Sequence, residues 1–126
     1  MSDEISIRIP ASTAHIGLVR AAASALAAHL DFTYDRITDL HIALDEVCSR
    51  ILATARTPAS RLEVTFQLED GVVTVMASGD SPRREDVPFL TPWAEMILRS
   101  VTDRLEVGDR DGRTAVTFDV GKEAAR

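Results

Sequence analysis

The sequence predicts a two-layer α/β sandwich, in which a mainly antiparallel sheet carries three helices on one face in the order β-α-α-β-β-α-β-β. Five segments alternate apolar and polar residues, which is typical of strands with one buried face. Three other segments repeat apolar residues at the spacing of a helix. Two Asp-Gly pairs lie between strand segments and indicate tight hairpins. We therefore expect one domain over residues 1–126.

The chain begins with a predicted strand and a long helix. Isoleucine alternates with polar residues over positions 5–9, and Pro10 ends this strand. Ser12 or Thr13 can cap a helix that runs to about Leu30. The predicted core stripe of this helix consists of Ile16, Val19, Ala23, Leu26 and Leu30.

The other face of this first helix is mostly alanine, with Arg20 beside it. Small side chains let a second backbone approach closely, so this face can pack against a neighbouring helix or a partner. Alanine also simply favours a helix, and this plainer interpretation stands beside the first. The alanines of this face are Ala21, Ala25 and Ala28.

The second helix, over Ile37–Ala55, has a core face and a charged face. Its charged face combines Asp39, Ala43, Glu46 and Arg50, of which the last two lie one turn apart. The core stripe consists of Ile37, Leu40, Leu44, Val47, Cys48, Ile51 and Ala55. The lone cysteine of the chain therefore belongs to the predicted core, where it cannot form an internal disulfide.

The second half of the chain predicts two hairpins around a third helix. Asp70-Gly71 joins strands at 62–68 and 72–77, and Asp111-Gly112 joins the strands around 105–107 and 116–120. Residues 78–92 contain three prolines and no apolar period, so we expect an irregular connection there. Thr91 caps the third helix, which runs to about Val101 with apolar residues facing inward.

The composition limits the function classes. A net charge of -6 and a pI near 5.0 argue against nucleic acid or an anionic membrane surface as the main partner. No apolar run approaches the length of a membrane span, and the acidic start is unlike a signal peptide, so we expect a cytoplasmic protein. The histidines at 15, 29 and 41 lack the spacing of metal ligands, and no metal site is expected.

The element order, together with LHIALDEVCSRIL on the second helix, resembles the RsbW-type anti-sigma factors. These are serine-kinase relatives of the histidine-kinase-like ATPase fold, also called the Bergerat type. The helix motif is most similar to that of the actinobacterial sigma F anti-sigma factors, which reads close to LAVDEVCTR. The resemblance extends from the first predicted strand to the last.

This resemblance implies a protein that binds an alternative sigma factor and keeps it from RNA polymerase. An anti-anti-sigma protein of the STAS type then competes for the same surface. In kinase-active members, bound ATP phosphorylates a serine of that antagonist. There the helix-motif glutamate acts as the base, and an asparagine four residues later holds magnesium.

Transferred residue by residue, the resemblance gives a mixed nucleotide site. Glu46 stands at the position of the catalytic glutamate, but Arg50 replaces the asparagine and cannot coordinate a cation, since it has only donors. The family's adenine-reading aspartate corresponds to Ala77, which has no acceptor side chain. Asp80 would match that aspartate only if the loop were shifted by three residues.

The family's second glycine-rich segment wraps the phosphates with backbone N–H groups. The corresponding segment here is DVPFLTPWAEM, which has no glycine and two prolines without N–H groups. The simplest interpretation is a degenerate site without ATP or magnesium, in which Arg50 pairs with Glu46. Alternatively, Arg50 contacts a phosphate directly, and ATP and magnesium are retained.

Arg20 matches an arginine that family members use against both the sigma factor and the antagonist, and an arginine fork pairs well with carboxylates. The leading hypothesis is an anti-sigma factor that acts by sequestration and is released by competition. An active serine/threonine kinase is the first alternative, and a regulator of another partner is the second. Family members of this type usually form homodimers, which the alanine face would allow.

Overall fold

The computed structural model describes residues 3–55, 60–82, 86 and 88–123. Within this part of the chain, five antiparallel strands form one sheet and three helices pack on one of its faces, which confirms the predicted fold class and element order. The elements are β1 (Asp3–Pro10), α1 (Ile16–His29), α2 (Tyr34–Ala53), β2 (Arg61–Glu69), β3 (Val72–Pro82), α3 (Pro92–Val101), β4 (Arg104–Arg110) and β5 (Arg113–Gly121). The strand order across the sheet is β1-β2-β3-β5-β4.

The alternation of apolar and polar residues decides which face of each strand is covered. Every second residue of the central strands is buried against the helices, while the intervening polar residues line the open face. Phe66 and Phe118 are the largest fully buried side chains of the sheet, and Leu40 and Leu44 of α2 are fully buried as well. No described helix is both long and apolar enough to cross a membrane.

The central helix, α2, contacts both other helices and strands β2, β3 and β5. This position explains why its buried face is wider than its sequence pattern predicts. Ala43 was expected on the charged face, yet it is fully buried, so that part of the prediction is wrong. A helix that is covered on three sides has little surface left for a polar stripe.

Turn and cap chemistry fixes the connections, largely as predicted. Both Asp-Gly pairs have positive φ at each residue, 53° and 74° in the first and 54° and 80° in the second, as type I′ hairpins require. Thr33 and Thr91 accept hydrogen bonds from the third residue of α2 and α3. Ser12 caps a short 3-10 turn over Thr13–His15, after which α1 begins.

Strand β3 is longer than predicted, because it continues beyond Ala77 to Pro82. Its pairing with β5 shifts register between Ser78 and Pro82, and this bulge lets the strand pass through a sequence that contains glycine and proline. The first part of the expected irregular connection is therefore strand. Residues 83–85 and 87 lie outside the described residues.

A buried arginine, which the sequence pattern did not single out, ties the C-terminal end of β5 to α2. Arg36 is only 7% exposed. Its guanidinium donates to the carbonyl of Gly121 at 2.9 Å and to the carboxylates of Asp39 at 2.9 Å and Asp103 at 2.8 Å. The same oxygen of Asp103 accepts the backbone N–H of Gly121 at 2.7 Å. This network joins α2, the α3–β4 turn and β5 through charge-assisted hydrogen bonds.

Candidate functional site

The candidate site lies along the second half of α2, where this helix faces the end of β3 and the segment that precedes α3. Glu46 and Arg50 are both half-buried on α2. Leu90 is buried, and Phe89 packs against the core from the segment before α3. The site is therefore formed by three elements whose sequence positions are far apart.

Arg50 is tied to the segment before α3. Its Nε and Nη2 atoms donate to the carbonyl oxygen of Phe89 at 3.2 and 2.9 Å. Its guanidinium carbon also lies 5.7 Å from the centroid of the Phe89 ring, within the range of a cation–π contact. One side chain thus holds both the backbone and the ring of Phe89 against α2.

The expected ion pair between Glu46 and Arg50 is not formed, and that prediction is wrong. Within the described part of the chain, the Glu46 carboxylate has no hydrogen bond or ion pair, whereas the Arg50 fork turns to the Phe89 carbonyl. A fixed carbonyl and an aromatic ring offer the guanidinium two contacts in one place. Glu46 consequently remains a half-buried carboxylate next to a donor that is already engaged.

Ala77 and Gly79 lie on the helix-facing side of β3. Ala77 is fully buried between Val64 and Val116 of the neighbouring strands. At Gly79 the strand approaches α2 so closely that a Cβ atom would lie 2.7 Å from the Cγ2 atom of Ile51. This glycine therefore allows a close approach of β3 to the central helix.

Asp80 faces away from this site. Its carboxylate accepts the backbone N–H of Arg61 at 2.8 Å and lies 3.8 Å from the guanidinium of Arg113, on the open face of the sheet. The alternation along β3 explains this placement, since residues 77 and 79 face the helices and residues 78 and 80 face outward. The structure therefore brings together Arg50 and the Phe89 segment, but it does not bring Asp80 to them.

Arg20 lies on the exposed side of α1, where it pairs with Asp45 of α2 at 2.6 Å. Both side chains are nearly half exposed, at 47% and 44%. The hydrogen bond and the negative charge of Asp45 raise the pKa of Arg20. One turn later on α1 and one turn earlier on α2, Ser24 and His41 form a second bridge at 2.5 Å. Sequence reasoning missed Asp45, because no helical spacing connects positions on different helices.

The chemistry of these side chains limits what the site can hold. Arg50 has only donors and a permanent positive charge, so it cannot be a metal ligand. Within the described residues, no three His, Cys, Asp or Glu side chains are grouped so that they could hold a metal ion. Ala77 offers no polar atom from its side chain, and Pro88 and Pro92 offer no backbone N–H group.

A sequence profile of the histidine kinase-like ATPase domain matches residues 9–119, and the chain belongs to this family. The chain is 33% identical over 98 residues to the serine-protein kinase RsbW of Bacillus velezensis, which covers 71% of this chain and 61% of that protein. It is 30% identical over 99 residues to the Bacillus subtilis protein of the same name, covering 72% and 62%. The expected resemblance to RsbW-type proteins is therefore confirmed. The chain spans about three fifths of the length of these relatives.

A solved structure supports the fold independently of sequence. The crystal structure of the RsbU and RsbW domains of a Mycobacterium tuberculosis protein superposes with a TM-score of 0.73. The match covers 94% of this chain and 32% of that one, at 16% identity. At this level of identity, the superposition establishes the shared fold alone.

Proposed function

We propose that this protein is an anti-sigma factor that sequesters an alternative sigma factor without using a nucleotide. Release then depends on competition by an anti-anti-sigma protein of the STAS type. The observation that carries the proposal is the position of Arg50, which stands where the family resemblance places a magnesium ligand. Its bonds to Phe89 hold the segment before α3 against α2.

Two further features support a degenerate nucleotide site. Ala77 stands at the position of the adenine-reading aspartate, and its side chain is buried among apolar neighbours. The segment around Phe89 has prolines where the family wraps phosphates with backbone N–H groups. Magnesium would therefore lack its side-chain ligand, and the phosphates of ATP would lack the backbone N–H groups that the family supplies.

The surface that we propose for the partners is the exposed side of α1. Leu18 is 60% exposed there. Together with the exposed alanines at positions 21, 25 and 28, it forms a row with spacings of three, four and three residues. Arg20 lies on the same helix and forms an exposed ion pair with Asp45 of α2. A narrow apolar row beside an arginine fork is suited to a helix that carries carboxylates. The same row would allow a second copy of the chain to pack there.

Substitution of Arg20 tests this surface directly. Arg20→Glu places a negative charge beside Asp45 and removes the fork, so we expect loss of partner binding while the fold is retained. The measurement is co-purification of the tagged chain with partners from its native cell, compared with Arg99→Glu, which changes the charge equally on the exposed side of α3. Equal capture of a sigma factor by both variants would contradict the proposed surface. Failure to capture any sigma factor with the wild type, at any growth stage, would contradict the proposed function.

An active serine/threonine kinase is the second candidate, and Glu46 is the observation that favours it. Its carboxylate is half-buried and unpaired within the described residues, as a base toward a serine would need to be. Incubation of the chain with labelled ATP, magnesium and its co-purified antagonist separates the two candidates. We expect no phosphate transfer to the antagonist. Transfer that is lost in Glu46→Gln would favour the kinase.

A further inference from the structure

The open face of the sheet, on the side away from the helices, contains a cleft of about 470 Å³ that gathers arginines from three strands. The cleft opens where the pairing of β2 with β3 ends, at Glu63 and Ser78. Beside it, the ladder between β3 and β5 shifts register. The lining residues are Arg8, Arg61, Glu63, Ser78, Asp80 and Arg113.

One carboxylate of the cleft is shared by two arginines. Glu63 accepts hydrogen bonds from Arg8 at 3.0 Å and forms an ion pair with Arg110 of β4 at 2.9 Å. The Glu63 side chain is 19% exposed, and the two arginines balance its negative charge. The pair of arginines therefore carries more positive charge than this carboxylate cancels.

The other carboxylate is committed mainly to the backbone. Asp80 accepts the N–H of Arg61 at 2.8 Å, and its distance of 3.8 Å to Arg113 is too long for a hydrogen bond. The Arg61 guanidinium forms no hydrogen bond or ion pair with any other residue that the structure describes. Two guanidinium groups at the cleft thus have N–H donors available for a ligand.

The described side chains that line the cleft have a positive excess. Three arginines face two carboxylates there, which leaves a local charge of +1 in a chain whose net charge is -6. A guanidinium fork matches the oxygen spacing of a phosphate, and such charge-assisted bonds are stronger than neutral ones. Arg61 on β2 and Arg113 on β5 lie on either side of β3, and their strands hold both residues in place without a loop rearrangement.

We propose that this cleft binds a dianionic phosphate group, with Arg61 and Arg113 as the main donors. The group can be free inorganic phosphate or the phosphate of a small monoester, because the recognised chemistry is the same. The volume of about 470 Å³ lies within the range of small-molecule sites. The site lies on the opposite side of the sheet from Arg50, so it does not rest on the proposed anti-sigma function.

An NMR titration tests the proposal. The isotope-labelled chain is titrated with inorganic phosphate and, separately, with glycerol 3-phosphate, at an ionic strength held constant with sodium chloride. We expect saturable shifts of the backbone amides at positions 61, 78–80 and 113. In Arg61→Gln/Arg113→Gln the affinity is expected to fall at least about tenfold, because both main donors are lost. Both single variants are measured as well, so that a folding defect of the double variant does not decide the result.

Arg104→Gln is the matched control, since it removes the same charge from the same face of the sheet at its opposite end. Its affinity should stay within about twofold of the wild type, because screening weakens distant charges. Saturation by inorganic phosphate identifies the free ion as sufficient, and saturation by the ester alone identifies an esterified group. Shifts that do not saturate, or that persist unchanged in Arg61→Gln/Arg113→Gln, would overturn the proposal.

Discussion

The contact between Arg50 and Phe89 predicts a measurable role in stability. Arg50→Met keeps most of the apolar stem but removes both hydrogen bonds to the Phe89 carbonyl and the cation–π contact. Hydrogen bonds from a charged donor contribute about 1.5–3 kcal/mol, and an exposed cation–π pair adds about 0.5–1 kcal/mol. Because the site is half-buried and the two bonds share one acceptor, we expect a loss of about 2 kcal/mol in the free energy of unfolding.

Urea denaturation followed by circular dichroism measures this loss as a shift in midpoint at constant slope. Trp93 is the single tryptophan and lies at the start of α3, so its fluorescence reports on the segment that Arg50 holds. We expect the amide hydrogens at the start of α3 to exchange faster in Arg50→Met than in the wild type. Arg50→Lys should restore little stability, since an ammonium lacks the planar fork.

Arg99→Met provides the matched control, because it removes an exposed arginine paired with Glu95 one turn away on α3. Such surface pairs contribute at most about 1 kcal/mol, so a shift within about 0.5 kcal/mol is expected. If Arg50→Met changed the free energy of unfolding no more than Arg99→Met does, the argued role of Arg50 would be refuted.

Three further predictions concern the core and its connections. Arg36→Met should lower the free energy of unfolding, measured by urea denaturation, by about 3 kcal/mol, because it leaves two partly buried carboxylates without their cation. A loss below about 1 kcal/mol would contradict the role of this network. Gly79→Ala should lower the free energy of unfolding by about 1–3 kcal/mol, because the new Cβ would lie 2.7 Å from the Ile51 side chain. Gly108→Ala is the control and should leave this free energy nearly unchanged, since its Cβ would have no neighbour within 4 Å. Burial, and then the charge of Asp45, raise the pKa of the Cys48 thiol from 9.0 to about 12, so a thiol reagent at pH 8 should react only after unfolding. Only the unfolded thiol ionises between pH 9 and 12. The contribution of the buried thiol to stability is therefore complete below pH 9 and is lost as the pH rises to about 12. Rapid labelling of Cys48 in the native protein would contradict its burial.

Most of the fold could be predicted because local patterns determine it. The two Asp-Gly turns, the threonine caps and the alternating strands each have a direct physical cause within a few residues. The extension of β3 to Pro82 could not be predicted in this way. Glycine and proline weaken the strand pattern there, and only the pairing with β5 shows that the strand continues.

The site could be predicted only in part. The family resemblance singled out Glu46, Arg50 and Ala77, but it gave no information about the partner of Arg50. That partner, Phe89, lies 39 residues further along the chain and contributes a backbone carbonyl, which every residue possesses. The burial of Arg36 has a similar cause, because its acceptors come together only once the sheet has formed.

The central claim is that this chain sequesters its partner without a nucleotide, and isothermal titration calorimetry with ATP and with ADP tests it most directly. Each nucleotide is titrated with and without magnesium, and a nucleotide-binding member of the same family serves as the positive control. The account predicts no saturable heat at millimolar nucleotide, because Arg50 cannot hold magnesium and Ala77 cannot accept a hydrogen bond from adenine. Tight binding that depends on magnesium would contradict it and would favour the kinase.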